Sequence, residues 1–170
     1  IGRPKVSVAA EYVRAHTLKA AVESIRATVD RPFLDELSST FVPIDLAVLC
    51  FDRPPGLSYT LATDVMWEHA IPCIHGGTLC RSGFYGPLFS TSHGSPVPHA
   101  FDLIPEDGII SFQSLPETVA FPPYNTVIGA HLAAEAIHFL AGAYELVDFH
   151  SRRVVDFSRH ESRRVGPRAS

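Results

Sequence analysis

Hydrophobic positions in this chain fall in uninterrupted runs and helical stripes more than in strict alternation. The strongest run lies in residues 44–59, IDLAVLCFDRPPGLSY. Leu46, Ala47, Val48, Leu49 and Cys50 follow one another without a polar residue, and Phe51 extends them to Asp52. A short run of this kind predicts a strand buried on both faces, as in the middle of a parallel sheet. Arg53-Pro54-Pro55-Gly56 ends it, because two prolines and a glycine stop regular pairing. Asp52 therefore falls at the carboxyl end of a buried strand, the edge where open α/β sheets hold their ligands. Capping of the loop or of the next helix is an equally ordinary role for it.

The flanking segments supply the rest of the architecture. Residues 1–16 predict a helix, with Pro4 in its first turn and Val6, Val8, Ala9 and Val13 as an apolar stripe. Lys5 then projects from the helix start, beside backbone N–H groups that favour an anion. A solvated first-turn lysine is the plainer reading. Residues 18–29, with Ala20, Val22 and Ile25 among polar neighbours, predict a strand, and residues 30–41 a short helix with Phe33, Leu34, Leu37 and Phe41 on one side. A helix over 57–70 and a strand over 71–79 follow. Gly76-Gly77 and the segment 83–89, GFYGPLF, read as strand edges where backbone approaches something closely. Residues 90–123, rich in Ser, Pro, Gly and His, predict a long crossing loop with a short strand or two near 108–112. Residues 124–141 form the clearest helix, stopped by Gly142 and apolar nearly all round, hence expected to be buried. Residues 144–149 and 154–157, around Ser151-Arg152-Arg153, predict a closing hairpin. Helix alternating with strand indicates an α/β domain with a mainly parallel sheet.

Composition narrows the function classes. One domain accommodates 170 residues, of which 46% are hydrophobic and 19% charged. A net charge of −4 gives no bulk attraction to nucleic acid or to an anionic membrane. Arg152, Arg153, Arg159, Arg163, Arg164 and Arg168 crowd the carboxyl end, which predicts a solvated basic tail over 159–170 after a domain of 1–158. Cys50, Cys73 and Cys80 cannot all pair, and two sit in apolar runs, as buried thiols do in the reducing cytoplasm. No apolar stretch reaches the ~20 residues that span a bilayer, and no signal-peptide pattern is present. A start at Ile1 rather than Met predicts a fragment or processed product.

Several of these pieces together resemble one family. Ile1-Gly2-Arg3-Pro4-Lys5 followed by VSVAAEYVRAH is similar to the "VGRPKAEVAAERL" segment of the ThiF/MoeB superfamily, adenylating enzymes related to ubiquitin activation. The strand ending in Asp52 resembles that family's "DVVVDCTDN" strand. IPCIHGGTLCRSGFYGPLF resembles the strand pair after it, and its FYGPLF form is similar to the peptide-activating, microcin-type branch. NTVIGAHLAAEAIHFLAGAYELVDFHSRRVVDF resembles the closing helix and terminal hairpin. The resemblance implies the second half of a ThiF-type adenylation domain, a Rossmann-like three-layer fold with mixed parallel and antiparallel strands.

By position, it makes Lys5 a phosphate-contacting lysine and Asp52 a Mg²⁺-associated aspartate. Arg53, in place of that family's asparagine, joins them as a nucleotide-binding residue. The implied reaction places a peptide or ubiquitin-like protein carboxylate against the α-phosphate of ATP, where cations must neutralise two approaching anions. The implied assembly is a homodimer whose glycine-rich nucleotide half comes from the same enzyme or from a partner chain. That glycine-rich loop has no counterpart in residues 1–170. Paired CxxC motifs are absent too, so no zinc is expected, and no cysteine lies in residues 90–123 to form a thioester.

Other constellations invite different chemistry. His131, Glu135 and His138 share a helix face, and Glu135-x-x-His138 matches half of a carboxylate-bridged di-iron motif. No second copy exists, so a structural role leads. Ser90, Ser92, His93, Ser95, His99 and Asp102 suggest a hydrolase without its nucleophile elbow. Arg81 beside Cys80 would favour a thiolate, yet a bystander cysteine is the commoner case. Two functions remain in competition: part of an ATP-dependent adenylyltransferase, or a non-catalytic ThiF-like module that docks a peptide for a partner enzyme. Joint presence of Lys5 and Asp52 favours the first.

Overall fold

A computed structural model describes residues 2–17, 19–41, 43–51, 57–79, 81–98 and 121–167. Asp30 caps the helix that its sequence specifies most fully. Its carboxylate accepts from Phe33 N–H at 3.0 Å, and Pro32 sits in the first turn, so α2 runs Arg31–Thr40. Before it, α1 spans Lys5–His16. β1 is Ala47–Leu49, α3 Leu57–Glu68, β2 Cys73–Leu79 and β3 Ser82–Phe89. α4 covers Pro122–Leu140, a 3₁₀ turn covers Tyr144–Leu146, and β4 (Arg152–Asp156) and β5 (Glu161–Val165) close the order.

The five strands form one sheet in the order β1-β2-β3-β4-β5. Only β1 and β2 run parallel, and every later pair is antiparallel. The expectation of a mainly parallel sheet from element order is therefore corrected. Too few residues separate β2 from β3, or β4 from β5, for the crossover that a parallel pair requires. The mixed α/β sheet implied by the family resemblance is what the structure shows.

Successive residues of the sheet feed two cores. Cys73 and Phe89 join Leu34, Leu49, Ala62, Val65 and Met66 beneath α2 and α3. Ile74 and Leu88 join Ile128, Leu132 and Phe139 beneath α4. The helices thus lie on opposite faces, giving three layers. α4 comes unusually close. A Cβ on Gly83 would lie 2.6 Å from Cγ1 of Ile128, and one on Gly76 would lie 2.8 Å from both Leu132 Cδ1 and the Phe84 carbonyl oxygen. The glycines read as close-approach positions serve that purpose.

Four further expectations change. Residues 19–29 form no strand. A strand needs a ladder partner, and among the described residues β1 pairs with β2 alone, leaving Ile25 40% exposed. β1 is shorter than its apolar run and not buried on both faces: Val48 is 48% exposed because β1 lies at the sheet edge. α4 buries only one side, and Ile137 and Leu140 stand more than half exposed on the other. The closing hairpin lies further along than predicted. It pairs Arg152–Asp156 with Glu161–Val165, so Arg163 and Arg164 belong to a strand rather than to a tail. The strand expected near 108–112 lies outside the described residues.

Candidate functional site

α1 begins at Lys5 without a capping side chain and with no acidic residue in its first turn. Pro4, fixed in φ and lacking an N–H, turns the chain into the helix. Gly2, Arg3, Pro4, Lys5 and Val6 face Arg26 and Ala27 across a cleft of about 490 Å³. The guanidinium of Arg3 is committed to Glu11. Lys5 is exposed and makes no hydrogen bond or ion pair among the described residues, which leaves its ammonium available to an incoming anion.

Asp52 and Arg53 lie outside the described residues. Their approach is defined by Phe51, which is partly buried and stacks on Tyr59 with ring centroids 5.5 Å apart. Phe51 follows β1 at the carboxyl end of the parallel pair, where Leu49 stands opposite His75. The described residues that line the Lys5 cleft all come from 2–6 and 26–27, and Phe51 is not among them. Among the described residues no group of three His, Cys, Asp or Glu could hold a metal ion.

The sequence reading missed a buried polar group behind this edge. Arg152 is 1% exposed. Its Nε donates to the Gly86 carbonyl at 3.3 Å, its Nη2 donates to His75 Nε2 at 3.4 Å, and its guanidinium carbon lies 5.3 Å from the centre of the Phe84 ring. His75 is likewise buried, and its ring packs among those of Tyr59, Phe84 and Phe89. Burial, reinforced by the Arg152 cation, drives the imidazole down to about 3, so it is neutral. Arg152 itself falls to about 10 by burial, partly offset by Tyr59. Because the guanidinium can only donate, Nε2 accepts and the proton sits on Nδ1, which has no partner among the described residues. Phase along the strand was the available signal: Arg152 alternates with Val154 on the inward face of β4.

The other constellations resolve into structure. Glu135 accepts from the Asp148 N–H at 3.0 Å, and His131 stacks on Tyr85 at 4.7 Å. Burial raises the Glu135 carboxyl, partly countered by that hydrogen bond. Ser90 Oγ lies 2.8 Å from His93 Nδ1, but Ser90 is 2% exposed and His93 is stacked on Phe149. A hydroxyl so enclosed offers no approach to a substrate. The Cys73 thiol is pushed up to about 12 by burial, which leaves no thiolate at neutral pH. Cys80 and Asp102 lie outside the described residues.

Known proteins extend this picture. The family whose pattern matches is the ThiF family, over residues 1–166. Among curated proteins, none matches the chain. Among solved structures, E. coli MccB with AMPCPP and MccA aligns with TM-score 0.80 and 19% identity, covering 100% of this chain and 50% of that one. E. coli MccB with ATP aligns with TM-score 0.77 and 20% identity, covering 100% and 49%. PaaA aligns with TM-score 0.71 and 16% identity, covering 98% and 48%. At these identities the likeness is one of fold. The chain spans about half the length of the structures it matches.

Proposed function

The chain belongs to the ThiF family, and from that membership we propose that it is one half of an ATP-dependent adenylyltransferase. Its substrate would be the C-terminal carboxylate of a peptide or ubiquitin-like protein, activated as an acyl-adenylate. The observation that carries this reading is Lys5, an exposed, unengaged cation at a helix start that lines a cleft large enough for a small anionic ligand. MccB, of like fold, has been solved with ATP and with MccA, and is described as a microcin C7 biosynthetic enzyme.

The chemistry asks little acid–base work of the protein. A carboxylate is already a nucleophile at neutral pH, so the task is to bring two anions together in line and to stabilise the charge that develops on phosphate. Lys5 binds the polyphosphate and reduces the repulsion. Asp52 and Arg53 complete the nucleotide contacts from the β1 end. A magnesium ion held by Asp52 would supply further positive charge at the phosphates. The complementary glycine-rich half is contributed by the same polypeptide or a partner, the working assembly is a homodimer, and the protein acts in the cytoplasm. ATP–pyrophosphate exchange by the assembled enzyme tests the reading; its absence with every candidate carboxylate would overturn it.

A second reading is a non-catalytic ThiF-like module that docks a peptide for a partner enzyme. It predicts peptide binding that is indifferent to both Lys5→Ala and Asp52→Asn.

A further inference from the structure

Arg26 belongs to a stretch that forms no helix or strand, yet the fold carries it to the same cleft as Lys5. Neither side chain makes a hydrogen bond or ion pair among the described residues. None of the described residues lining the cleft is acidic, and the nearby carboxylate of Glu11 is already committed to Arg3. Two unengaged cations that share a concavity repel each other. Such a pairing is relieved by an anion carrying more than one negative charge.

On the footing of the adenylation reading, we propose that Arg26 is a further binding residue of the nucleotide site, gripping the polyphosphate of ATP opposite Lys5. Its guanidinium would add direction to the contact. An ammonium acts as a point charge, whereas a planar guanidinium meets two phosphate oxygens at once. Arg26 thereby favours a triphosphate over a monophosphate. After adenylation it holds the leaving pyrophosphate rather than the adenylate.

Calorimetric titration of the 170-residue chain with sodium tripolyphosphate at low ionic strength is the test. Arg26→Ala should bind roughly ten- to a hundredfold more weakly than the parent, the loss expected for one charge-assisted phosphate contact. Arg26→Lys should recover part of that loss and Arg26→Gln none of it. Lys19→Ala, exposed and outside the cleft, should bind as the parent does. The proposal is overturned if Arg26→Ala retains the parent affinity while Lys5→Ala loses it. It is also overturned if the parent takes up no tripolyphosphate at millimolar concentration. Exchange assays separate this outcome from the larger one. Arg26-dependent tripolyphosphate binding without any ATP–pyrophosphate exchange removes the adenylation reading and keeps the anion site. Exchange that Arg26→Ala leaves untouched removes Arg26 alone.

Discussion

Arg152 Nη2 stands 3.4 Å from His75 Nε2 across the middle of the sheet, and both side chains are about 1% exposed. The imidazole in such a place must stay neutral to remain folded, and its pKa of about 3 in the native state says so. In the unfolded chain the same group titrates near 6.5. The unfolded state therefore binds the proton first as pH falls. The stability tied to His75 is complete above pH ~6.5 and is lost progressively down to pH ~3. Between pH 7 and pH 5 the linkage amounts to about 2 kcal/mol. Urea unfolding at those two pH values should show that loss in the parent, and His75→Gln should show correspondingly less of it. Equal pH slopes in the two proteins would reject His75 as the source.

Arg152 predicts a second outcome at the same place. Arg152→Ala removes a large buried side chain and leaves the Gly86 carbonyl and His75 Nε2 without this donor. A cost of about 3 kcal/mol follows from unsatisfied polar groups and the vacated space together. Arg152→Lys should recover less than half, since one ammonium on a straight stem cannot reproduce both directions of the fork. Chemical denaturation of the three proteins measures it, and a Lys variant as stable as the parent would show that charge alone matters.

What could be read in the sequence followed from how local each signal is. Asp30 and Pro32 specify the start of α2 by themselves, and the two prolines before Tyr124 together with Gly142 bracket α4. Strand pairing is not local. The apolar run at 46–51 predicts a buried strand, but how many neighbours β1 receives depends on segments far away, and with one neighbour it shortens to Ala47–Leu49. Residues 19–29 fail as a strand for the same reason. Of the candidate site, Lys5 was legible because a helix start after Gly-Arg-Pro is a local feature. Arg26 and Arg152 were not, since each reaches its place through long-range folding. Arg152 was further masked by basic neighbours that resemble a solvated end.

Gly76 and Gly83 should differ under substitution. A Cβ on Gly83 meets side-chain atoms alone, Cγ1 and Cδ1 of Ile128 and, at 3.2 Å, Cε2 of Phe157, which can shift where backbone cannot. A Cβ on Gly76 also meets the Phe84 carbonyl oxygen at 2.8 Å, part of the sheet backbone that cannot yield alone. Gly76→Ala should destabilise by about 1–3 kcal/mol, the usual cost of overpacking, and Gly83→Ala by less. Thermal melts of both variants decide this, and the reverse order would count against the close approach of α4 at β2.

Cys73 is enclosed and its thiol is held at about 12, so it should not react with a thiol reagent in the native protein at pH 7. Cys73→Ala should lower stability by about 1 kcal/mol, as loss of a small buried hydrophobe does, and leave ATP–pyrophosphate exchange unchanged. Loss of exchange in a fully folded Cys73→Ala protein would point to chemistry at this sulfur that its burial argues against.

The decisive comparison sets Asp52→Asn beside Lys5→Ala in the assembled enzyme. Lys5 is exposed and engages no other described group, so its loss should cost the fold little. It should weaken ATP binding and exchange together, because a lost charge-assisted phosphate contact is worth roughly 1.5–3 kcal/mol. Asp52→Asn conserves shape, and Asn caps a loop or helix as well as Asp does, so a capping role would make the change nearly silent. A metal-associated role predicts the opposite. A neutral amide is a poor ligand for a hard divalent cation, and magnesium-dependent exchange should fall to background in Asp52→Asn while the melting temperature stays put. Exchange near the parent rate in Asp52→Asn would remove Asp52 from the chemistry. Parent-like exchange in both variants would leave only the peptide-docking module, whose binding neither change should disturb.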